Sequence, residues 1–335
     1  MNDLSRRHFL QYTSAAAALA GLPAWAQDTF PTKPLSLVVP YPAGGPSDAS
    51  ARIFAESFTP SLKQQVIVEN YGGGSGLIGA NKVLSAPADG YTFLHGSPSE
   101  VVLPPMLNPA ARYKPGDFVL AGHMTTVSIV LVVRNGIPAS TMDEFLDYVR
   151  QQKGKPLTYA SIGIDSLFNL MGDALAARLN LPFLHVPYKG SAPALQDLAG
   201  GQVDFAILAY QKSFEGMQEQ GRLKIVSSFS KDMPPGLKHI APITRSKQIP
   251  DFVHENGGGY FMRKGTPADR VAVLRKAIAE AVAKPEIRGR LEAEGRKVAH
   301  PTELQTQVQA DAAFKEMTDS VASLLKVLGR TNLAI

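Results

Sequence analysis

Short apolar runs alternate with amphipathic stretches along this chain, and turns rich in Gly, Pro or Ser separate them. The apolar runs are typical of buried strands, and the amphipathic stretches are typical of helices with one buried face. The predicted strands cover residues 35–40, 66–69, 91–95, 157–160, 183–186, 203–208 and 223–229. This alternation predicts βαβ units and an α/β fold with mostly parallel sheets that carry helices on both faces.

Predicted helices follow most of these strands directly. They cover residues 47–58, 77–85 and 166–179, and another helix follows Lys189-Gly190-Ser191 and ends at Gly200-Gly201. Near the C-terminus a helix covers 268–283 and, after a break near Pro285, a further helical stretch runs through Lys326. The turns that lead from strand to helix carry the Gly and Ser residues. Because such turns share one edge of an α/β sheet, the sequence predicts a ligand site along that edge.

The turn after the first predicted strand, YPAGGPSD at residues 41–48, is the clearest candidate. It places the free N–H groups of a helix start at the end of a strand, where an anion binds without a charged side chain. Pro46 has no N–H, so Gly45, Ser47 and Asp48 remain as donors, and Ser47 or Asp48 is free to cap the helix. Taken alone, this segment is explained more simply as a capped turn.

Motifs of catalysis and of nucleotide binding are absent from the sequence. Residues 41–48 have neither the Lys of a P-loop nor the spacing of a dinucleotide fingerprint, and the chain contains no G-x-S-x-G elbow. The histidines show no spacing typical of a metal site, and capping explains Asp165 and Asp204 as well as acid–base chemistry does. The sequence therefore predicts no enzyme, no cofactor and no bound metal.

The first 27 residues have the pattern of an export signal. Arg6 and Arg7 precede a short Ala-rich apolar run, and Ala24-Trp25-Ala26 ends it. This pattern predicts a twin-arginine signal that is cleaved after Ala26 and a mature protein in the periplasm. A transmembrane anchor is the alternative, but the apolar run is shorter than the roughly 20 residues that a span needs.

Composition narrows the class of protein further. The chain has 335 residues, no cysteine and a net charge of +5, and its basic and acidic residues are interleaved. The absence of cysteine removes thiolate catalysis and Cys-ligated zinc or iron–sulfur clusters. The scattered charges predict a solvated basic surface and no nucleic-acid partner.

Two segments read as crossings between domains, residues 120–134 and residues 234–259. They predict a discontinuous first lobe, residues 28–125 plus 252–335, and a second lobe of residues 126–251. Two lobes joined by two crossings can close on a ligand that lies between them.

Several motifs resemble the tripartite tricarboxylate transporter substrate-binding receptors, also called the Bug family. They are PTKP (31–34), VPYPAGGPSD (39–48), VENYGGGSGLIGA (68–80), ADGYTFL (88–94), LVVRNGIPAS (131–140), HVPYKGSAPALQDLAGGQVD (185–204) and KGTPADRVAVLRKAI (264–278). The resemblance covers essentially the whole mature chain, and the motif at 185–204 is specific to this family. Within that motif, Ser191 is expected to cap the helix.

The resemblance implies a two-lobed periplasmic binding protein of type II-like fold, which holds a small organic carboxylate in its cleft. It also implies a monomer that delivers this ligand to integral-membrane permease subunits. Backbone N–H groups, hydroxyls and bridging waters hold the carboxylate in this family. Carried onto this sequence, the ligand contacts would be Gly44, Gly45, Ser47, Asp48, Ser97 and Ser99 in the first lobe and Ser161, Gly163 and Ser166 in the second, with Tyr41 in the cleft wall.

The second-lobe turn departs from the family pattern. Two hydroxyl positions have become Leu167 and Phe168, and a glycine has become Asp165. Fewer hydroxyls favour a larger or aromatic carboxylate over a citrate-like acid if these side chains face the cleft; the alternative is that they face the core. Asp165 would meet an amine or hydroxyl of the ligand, or simply cap the next helix.

Two other functions stay open at this point. One is an exported α/β enzyme that acts on a carboxylated substrate in the same cleft. The other is a sensing receptor that binds the same ligand and signals to a membrane partner.

Overall fold

The computed structural model describes residues 30–330. Its strands are β1 (Leu35–Val39), β2 (Val66–Asn70), β3 (Thr92–Gly96), β4 (Phe118–Val127), β5 (Ile129–Arg134), β6 (Leu157–Ser161), β7 (Phe183–Pro187), β8 (Phe205–Ala209), β9 (Leu223–Ser228), β10 (Asn256–Arg263) and β11 (Arg296–Val298). Its α-helices are α1 (Pro46–Leu62), α2 (Leu77–Ser85), α3 (Pro98–Val101), α4 (Leu103–Leu107), α5 (Met142–Gln151), α6 (Leu167–Leu179), α7 (Ser191–Ala199), α8 (Ser213–Glu219), α9 (Ala268–Ala283), α10 (Pro285–Ala293) and α11 (Gln307–Val327). The predicted export signal lies outside the described residues.

The strands form two sheets. The first has the order β11-β4-β10-β3-β1-β2 and the second has the order β7-β6-β8-β5-β9. We call the first sheet with the helices packed on it the first lobe, and the second sheet with its helices the second lobe. The chain changes sheets at Ser128, between β4 and β5, and returns through β10. The lobe boundaries at residues 126 and 252 stay predictions.

The α/β class is confirmed, but the sheets are mixed and not mostly parallel. In the first sheet β1 pairs in parallel with β2 and β3, whereas β10 and β11 run antiparallel to their neighbours. In the second sheet β6 pairs in parallel with β7 and β8, whereas β5 is antiparallel to β8 and β9. The parallel strands are those that the strand–helix alternation predicted, since a helical crossover returns the chain in the same direction. The antiparallel strands are those that cross between lobes or follow the C-terminal helices.

Each lobe packs an aromatic cluster against its sheet. In α1 the buried positions Ala51, Phe54 and Phe58 recur at helical spacing, so one face of this helix covers the first sheet. Phe54 and Phe58 meet the Tyr260 ring of β10 edge-on, at centroid distances of 5.5 and 5.3 Å. Such pairs add about 0.5–1.5 kcal/mol beyond the area that they bury.

The second lobe is built in the same way. Tyr159 of β6, Phe183 of β7 and Phe205 of β8 pack together, with Tyr159 and Phe205 stacked at a centroid distance of 5.4 Å. Tyr159 is fully buried, and its hydroxyl donates to Asp173 Oδ1 over 2.9 Å. Within residues 30–330 no helix is long and apolar enough to cross a membrane.

The prediction of continued helix after α10 was wrong. Residues 296–298 form the edge strand β11, which pairs antiparallel with β4. A three-residue strand has no periodicity that distinguishes it from a helix, and only the neighbouring β4 supplies its hydrogen bonds. This strand matters because it carries Arg296.

Gly259→Ala is expected to destabilise the fold. A Cβ atom there would lie 2.5 Å from the backbone oxygen of Gly122 in the adjacent strand, so β10 and β4 would have to separate. We expect a loss of about 2 kcal/mol or more in the free energy of unfolding, measured by urea titration. Gly216→Ala in α8 is the matched control, because its Cβ would meet nothing within 4 Å. Equal stability of the two variants would contradict the close packing at Gly259.

Candidate functional site

A cavity of about 50 Å³ lies between the two lobes, where strand ends and helix starts converge. The first lobe lines most of it, and the second lobe contributes one wall. The lining residues are Tyr41, Pro42, Gly45, Pro46, Ser47, His95, Gly96, Ser97, Ser99, Glu100, Val127, Asn256, Gly258 and Arg296 from the first lobe, and Ile162, Phe168, Ser191 and Ala209 from the second. The space holds a few water molecules or one small polar group.

The start of α1 forms part of this lining. The helix begins at Pro46, with Gly45 as its N-cap and no side-chain cap. The predicted capping by Ser47 or Asp48 is therefore wrong. The uncapped N–H groups of the first turn and the positive end of the helix dipole stay available for an anion in the cavity.

Asp48 stabilises the turn and does not line the cavity. Its buried carboxylate accepts from Gly44 N over 3.0 Å, from Asn70 Nδ2 over 3.1 Å and from Arg52. Burial would raise the pKa of Asp48, but these hydrogen bonds outweigh it and hold the pKa below its usual value. Gly44 N–H thus has an internal acceptor, so both residues act on the turn itself in this structure.

Glu100 is a buried acid that the sequence analysis missed. Its Oε2 accepts from Ser97 N over 2.5 Å and from Ser97 Oγ over 2.8 Å, and its Oε1 accepts from the Tyr41 hydroxyl. Burial raises the pKa of Glu100 to about 7, although these hydrogen bonds oppose the shift. The spacing Ser97-x-x-Glu100 is that of a capping box, which could have revealed the pair.

Arg296 is a buried cation in the same lining. Its side chain enters from β11, and Nη2 donates to Pro46 O over 2.6 Å while Nη1 donates to Thr125 Oγ1 over 3.2 Å. No carboxylate of the described residues forms an ion pair with it. Burial lowers its pKa to about 10, so it stays protonated at neutral pH. No sequence pattern marks Arg296, because residues 296–298 match the pattern of a helix.

Four buried polar atoms of this lining have no hydrogen-bond partner among residues 30–330. They are His95 Nδ1, Ser99 Oγ, Asn256 Oδ1 and Arg296 Nε. Burial, and secondly the charge of Arg296, lower the pKa of His95 well below its usual value, so its ring is neutral. An unpaired buried polar atom costs about 1–3 kcal/mol. Four such atoms around one cavity indicate that a polar ligand or water completes the site.

The second-lobe turn is used mainly for its own structure. Ser166 caps α6 by accepting from Asn169 N over 3.2 Å, and the fully buried Ser161 Oγ lies 2.7 Å from His185 Nε2. Asp165 does not cap α6, because its φ is +57° and its carboxylate accepts from Arg330 over 2.7 Å.

The expected capping of α7 by Ser191 is also wrong, because Gly190 is the N-cap.

Leu167 and Phe168 differ in their position relative to the cavity. Phe168 lines the cavity, whereas Leu167 is buried and takes no part in the lining.

Of the predicted contact residues, the cavity brings together Tyr41, Gly45, Ser47, Ser97, Ser99 and Phe168. Gly44, Asp48, Ser161, Gly163, Asp165 and Ser166 lie outside the lining. Residues 30–330 contain no group of His, Asp or Glu side chains that could hold a metal ion.

The two lobes also touch each other directly. Ser75 Oγ of the first lobe donates to Ile164 O of the second over 2.6 Å. A Cβ atom on Gly163 would lie 2.4 Å from Ser75 Oγ, and a Cβ atom on Gly190 would lie 2.7 Å from Pro42 Cδ. Glycine at these two positions therefore permits the close approach of the lobes.

Comparisons with known proteins agree with this architecture. The model of the tripartite tricarboxylate transporter family receptor matches residues 50–321. The UPF0065 protein in the tcbD–tcbE intergenic region of Pseudomonas sp. strain P51 is 34% identical over 298 residues, which cover 89% of this chain and 88% of that protein. The periplasmic binding protein BugD superposes with a TM-score of 0.81 at 30% identity, over 90% of this chain and 99% of that one. MatC from Rhodopseudomonas palustris, solved with bound malate, gives a TM-score of 0.80 at 26% identity, over 88% and 100% of the two chains.

Glu100→Gln is expected to change how stability depends on pH. Because folding raises the pKa of Glu100 from 4.5 to about 7, the folded wild type loses stability as pH rises through that window. The loss is about 3 kcal/mol at most, and the neutral Gln lacks it. The free energy of unfolding of Glu100→Gln relative to wild type should therefore increase between about pH 4.5 and pH 8.

Urea unfolding at several pH values measures this difference. The difference between variants is the quantity to compare, because burial lowers the pKa of His95 and so contributes in the opposite direction. Glu219→Gln, at an exposed position of α8, is the matched control and should run parallel to wild type. Parallel profiles for wild type and Glu100→Gln would contradict the buried state of this acid.

Proposed function

The chain belongs to the tripartite tricarboxylate transporter receptor family, as its sequence motifs indicated, and from that premise we propose what it binds and where it delivers it. It captures a small organic carboxylate in the cavity between its lobes and hands it to the membrane subunits of a tripartite transporter. The N-terminal pattern supports export to the periplasm, with cleavage after Ala26.

The observation that carries this proposal is the set of unpaired polar atoms in the cavity. Arg296 Nε and Ser99 Oγ are unpaired hydrogen-bond donors, and the uncapped N-terminus of α1 adds backbone N–H groups to the same lining. Donors and positive charge stabilise a carboxylate, and each bond is stronger in a closed cavity from which water is excluded. The malate in MatC is a carboxylate bound by a relative of the same fold.

The apolar part of the lining supports a finer proposal about the ligand. Val127, Ile162 and Phe168 present hydrocarbon to the cavity, which favours a ligand with an apolar body over a citrate-like acid. A cavity of about 50 Å³ encloses little more than a carboxylate group. A larger or aromatic carboxylate therefore requires the lobes to stand further apart than they do here.

An enzyme or a sensor in the same cleft remains the alternative. The described part of the chain offers one serine–histidine pair, Ser161 with His185, and the Ser161 hydroxyl is fully buried outside the cavity lining. A receptor returns its ligand unchanged, so turnover of a bound ligand distinguishes an enzyme. Capture of permease subunits or of a signalling protein from membranes distinguishes transport from sensing.

A binding screen tests the proposal directly. We expect at least one organic carboxylate to bind and to raise the midpoint of thermal unfolding, because a ligand that binds only the folded state stabilises it. Calorimetry with aliphatic and aromatic carboxylates, amino acids, sugars, peptides and divalent metals measures this, and chromatography of the recovered ligand checks for turnover. Binding of a sugar, peptide or metal with no binding of any carboxylate would overturn the proposal.

Gly190→Ala is expected to weaken the binding of a carboxylate small enough to be enclosed with the lobes as close together as they are here. The added Cβ would lie 2.7 Å from the Pro42 ring and would hold the lobes apart. Its φ of 172° is extended backbone that alanine adopts freely. We expect affinity to fall about 10-fold or more by calorimetry, an effect of at least about 1.4 kcal/mol.

A second substitution controls for this result. Pro42→Ala removes the ring atom that the new Cβ meets, so the double variant Pro42→Ala/Gly190→Ala should recover part of the lost affinity. Unchanged affinity in Gly190→Ala, or an additive loss in the double variant, would show that closure at this contact does not govern binding.

A further inference from the structure

Two ionisable side chains, one basic and one acidic, lie buried in the cavity lining, and neither forms an ion pair with any residue between 30 and 330. Arg296 is 2% exposed and Glu100 is 2% exposed. They also form no ion pair with each other within 4.0 Å. Each therefore sets the charge of its own part of the cavity.

Arg296 is held for an anion. A guanidinium has five N–H donors, and here two of its nitrogen atoms donate to Pro46 O and Thr125 Oγ1 while Nε has no acceptor. Because Pro46 is the first residue of α1, this bond keeps the cation beside the N-terminus of that helix. A buried cation without a counter-ion is unfavourable, and a bound carboxylate would supply that counter-ion.

Arg275 shows that burial alone does not make such a site. It is 7% exposed, and no carboxylate of the described residues pairs with it either. Its Nε donates to Ala121 O over 2.7 Å, its Nη2 donates to Gln307, and it takes no part in the cavity lining. Arg275 is therefore a matched structural arginine, whereas Arg296 lines the cavity and has one unpaired donor, Nε.

Glu100 is positioned to repel an anion, whereas Arg296 is positioned to attract one. Three donors, Ser97 N, Ser97 Oγ and the Tyr41 hydroxyl, already bind its two oxygen atoms. The carboxylate is thus held in place without help from a ligand ammonium group. A second carboxylate on the ligand would meet this like charge in a region of low dielectric, where repulsion is strong.

From these contacts we infer that Arg296 is the counter-ion of the ligand's carboxylate and that Glu100 excludes a second one, so that the receptor selects monocarboxylates over di- and tricarboxylates. The inference rests on the proposed function, since it specifies the ligand of that same cavity. The hydrocarbon of Val127, Ile162 and Phe168 faces the rest of such a ligand. The class is therefore a single carboxylate on an apolar body.

Matched ligand pairs test the selection. Calorimetry on the mature chain at about pH 8, where Glu100 is ionised, compares butyrate with succinate and benzoate with phthalate. We expect the monocarboxylate of a pair to bind about 10-fold or more tightly than the dicarboxylate. γ-Aminobutyrate should bind no better than butyrate, and tighter binding would overturn the role given to Glu100.

Substitutions assign the selection to the two residues. Arg296→Gln should lower affinity for the monocarboxylate about 100-fold, with Arg296→Lys between the two, because Lys keeps the charge without the planar fork. Arg275→Gln, the matched control, should leave the ratio between paired ligands as in wild type. Glu100→Gln should bring the ratio of monocarboxylate to dicarboxylate affinity towards one. This variant tests the selection even if Arg296→Gln fails to fold.

The outcomes separate this inference from the proposed function. Dicarboxylates that bind as tightly as their matched monocarboxylates, or an Arg296→Gln variant with wild-type affinity, would overturn the inference and leave a carboxylate receptor standing. Binding of no carboxylate at all would overturn the proposed function itself.

Discussion

The contacts of the Arg296 guanidinium bring together three distant parts of the chain. This side chain leaves the edge strand β11, crosses the neighbouring strand β4 at Thr125 and reaches the carbonyl of Pro46 at the start of α1. The guanidinium therefore fixes where the first turn of α1 lies relative to the C-terminal part of the chain. Because the lining of the cavity is built around these elements, its geometry depends on a buried charge that the described protein does not neutralise.

The cavity is arranged for function at a cost in stability. Unpaired atoms of His95, Ser99, Asn256 and Arg296 at about 1–3 kcal/mol each are a large burden for a fold whose net stability is about 5–15 kcal/mol. In the proposed function, a ligand that satisfies these atoms favours the closed arrangement of the lobes. The lobes meet at the hydrogen bond from Ser75 Oγ to Ile164 O, and glycine at position 190 leaves room for the Pro42 ring.

Much of the local structure could be predicted from the sequence. The helices at 77–85 and 268–283 have the predicted bounds, because apolar periodicity and the flanking Gly and Pro residues mark both ends. The caps were harder to predict. Ser191 and Asp165 are good capping residues by type, yet Gly190 and Ser166 hold those positions, since the cap is set by where the preceding strand delivers the chain.

The sequence by itself determined the α/β class, the strand–turn–helix units and the turns that expose backbone N–H groups, because these depend on residues close together in the chain. The tertiary structure alone decided which side chains share the cavity. Glu100, Asn256 and Arg296 come from separate segments, and no local pattern links them. It also decided that Phe168 lines the cavity while its equally buried neighbour Leu167 does not, because the rotation of α6 is fixed by the helices and sheet around it and not by its own sequence.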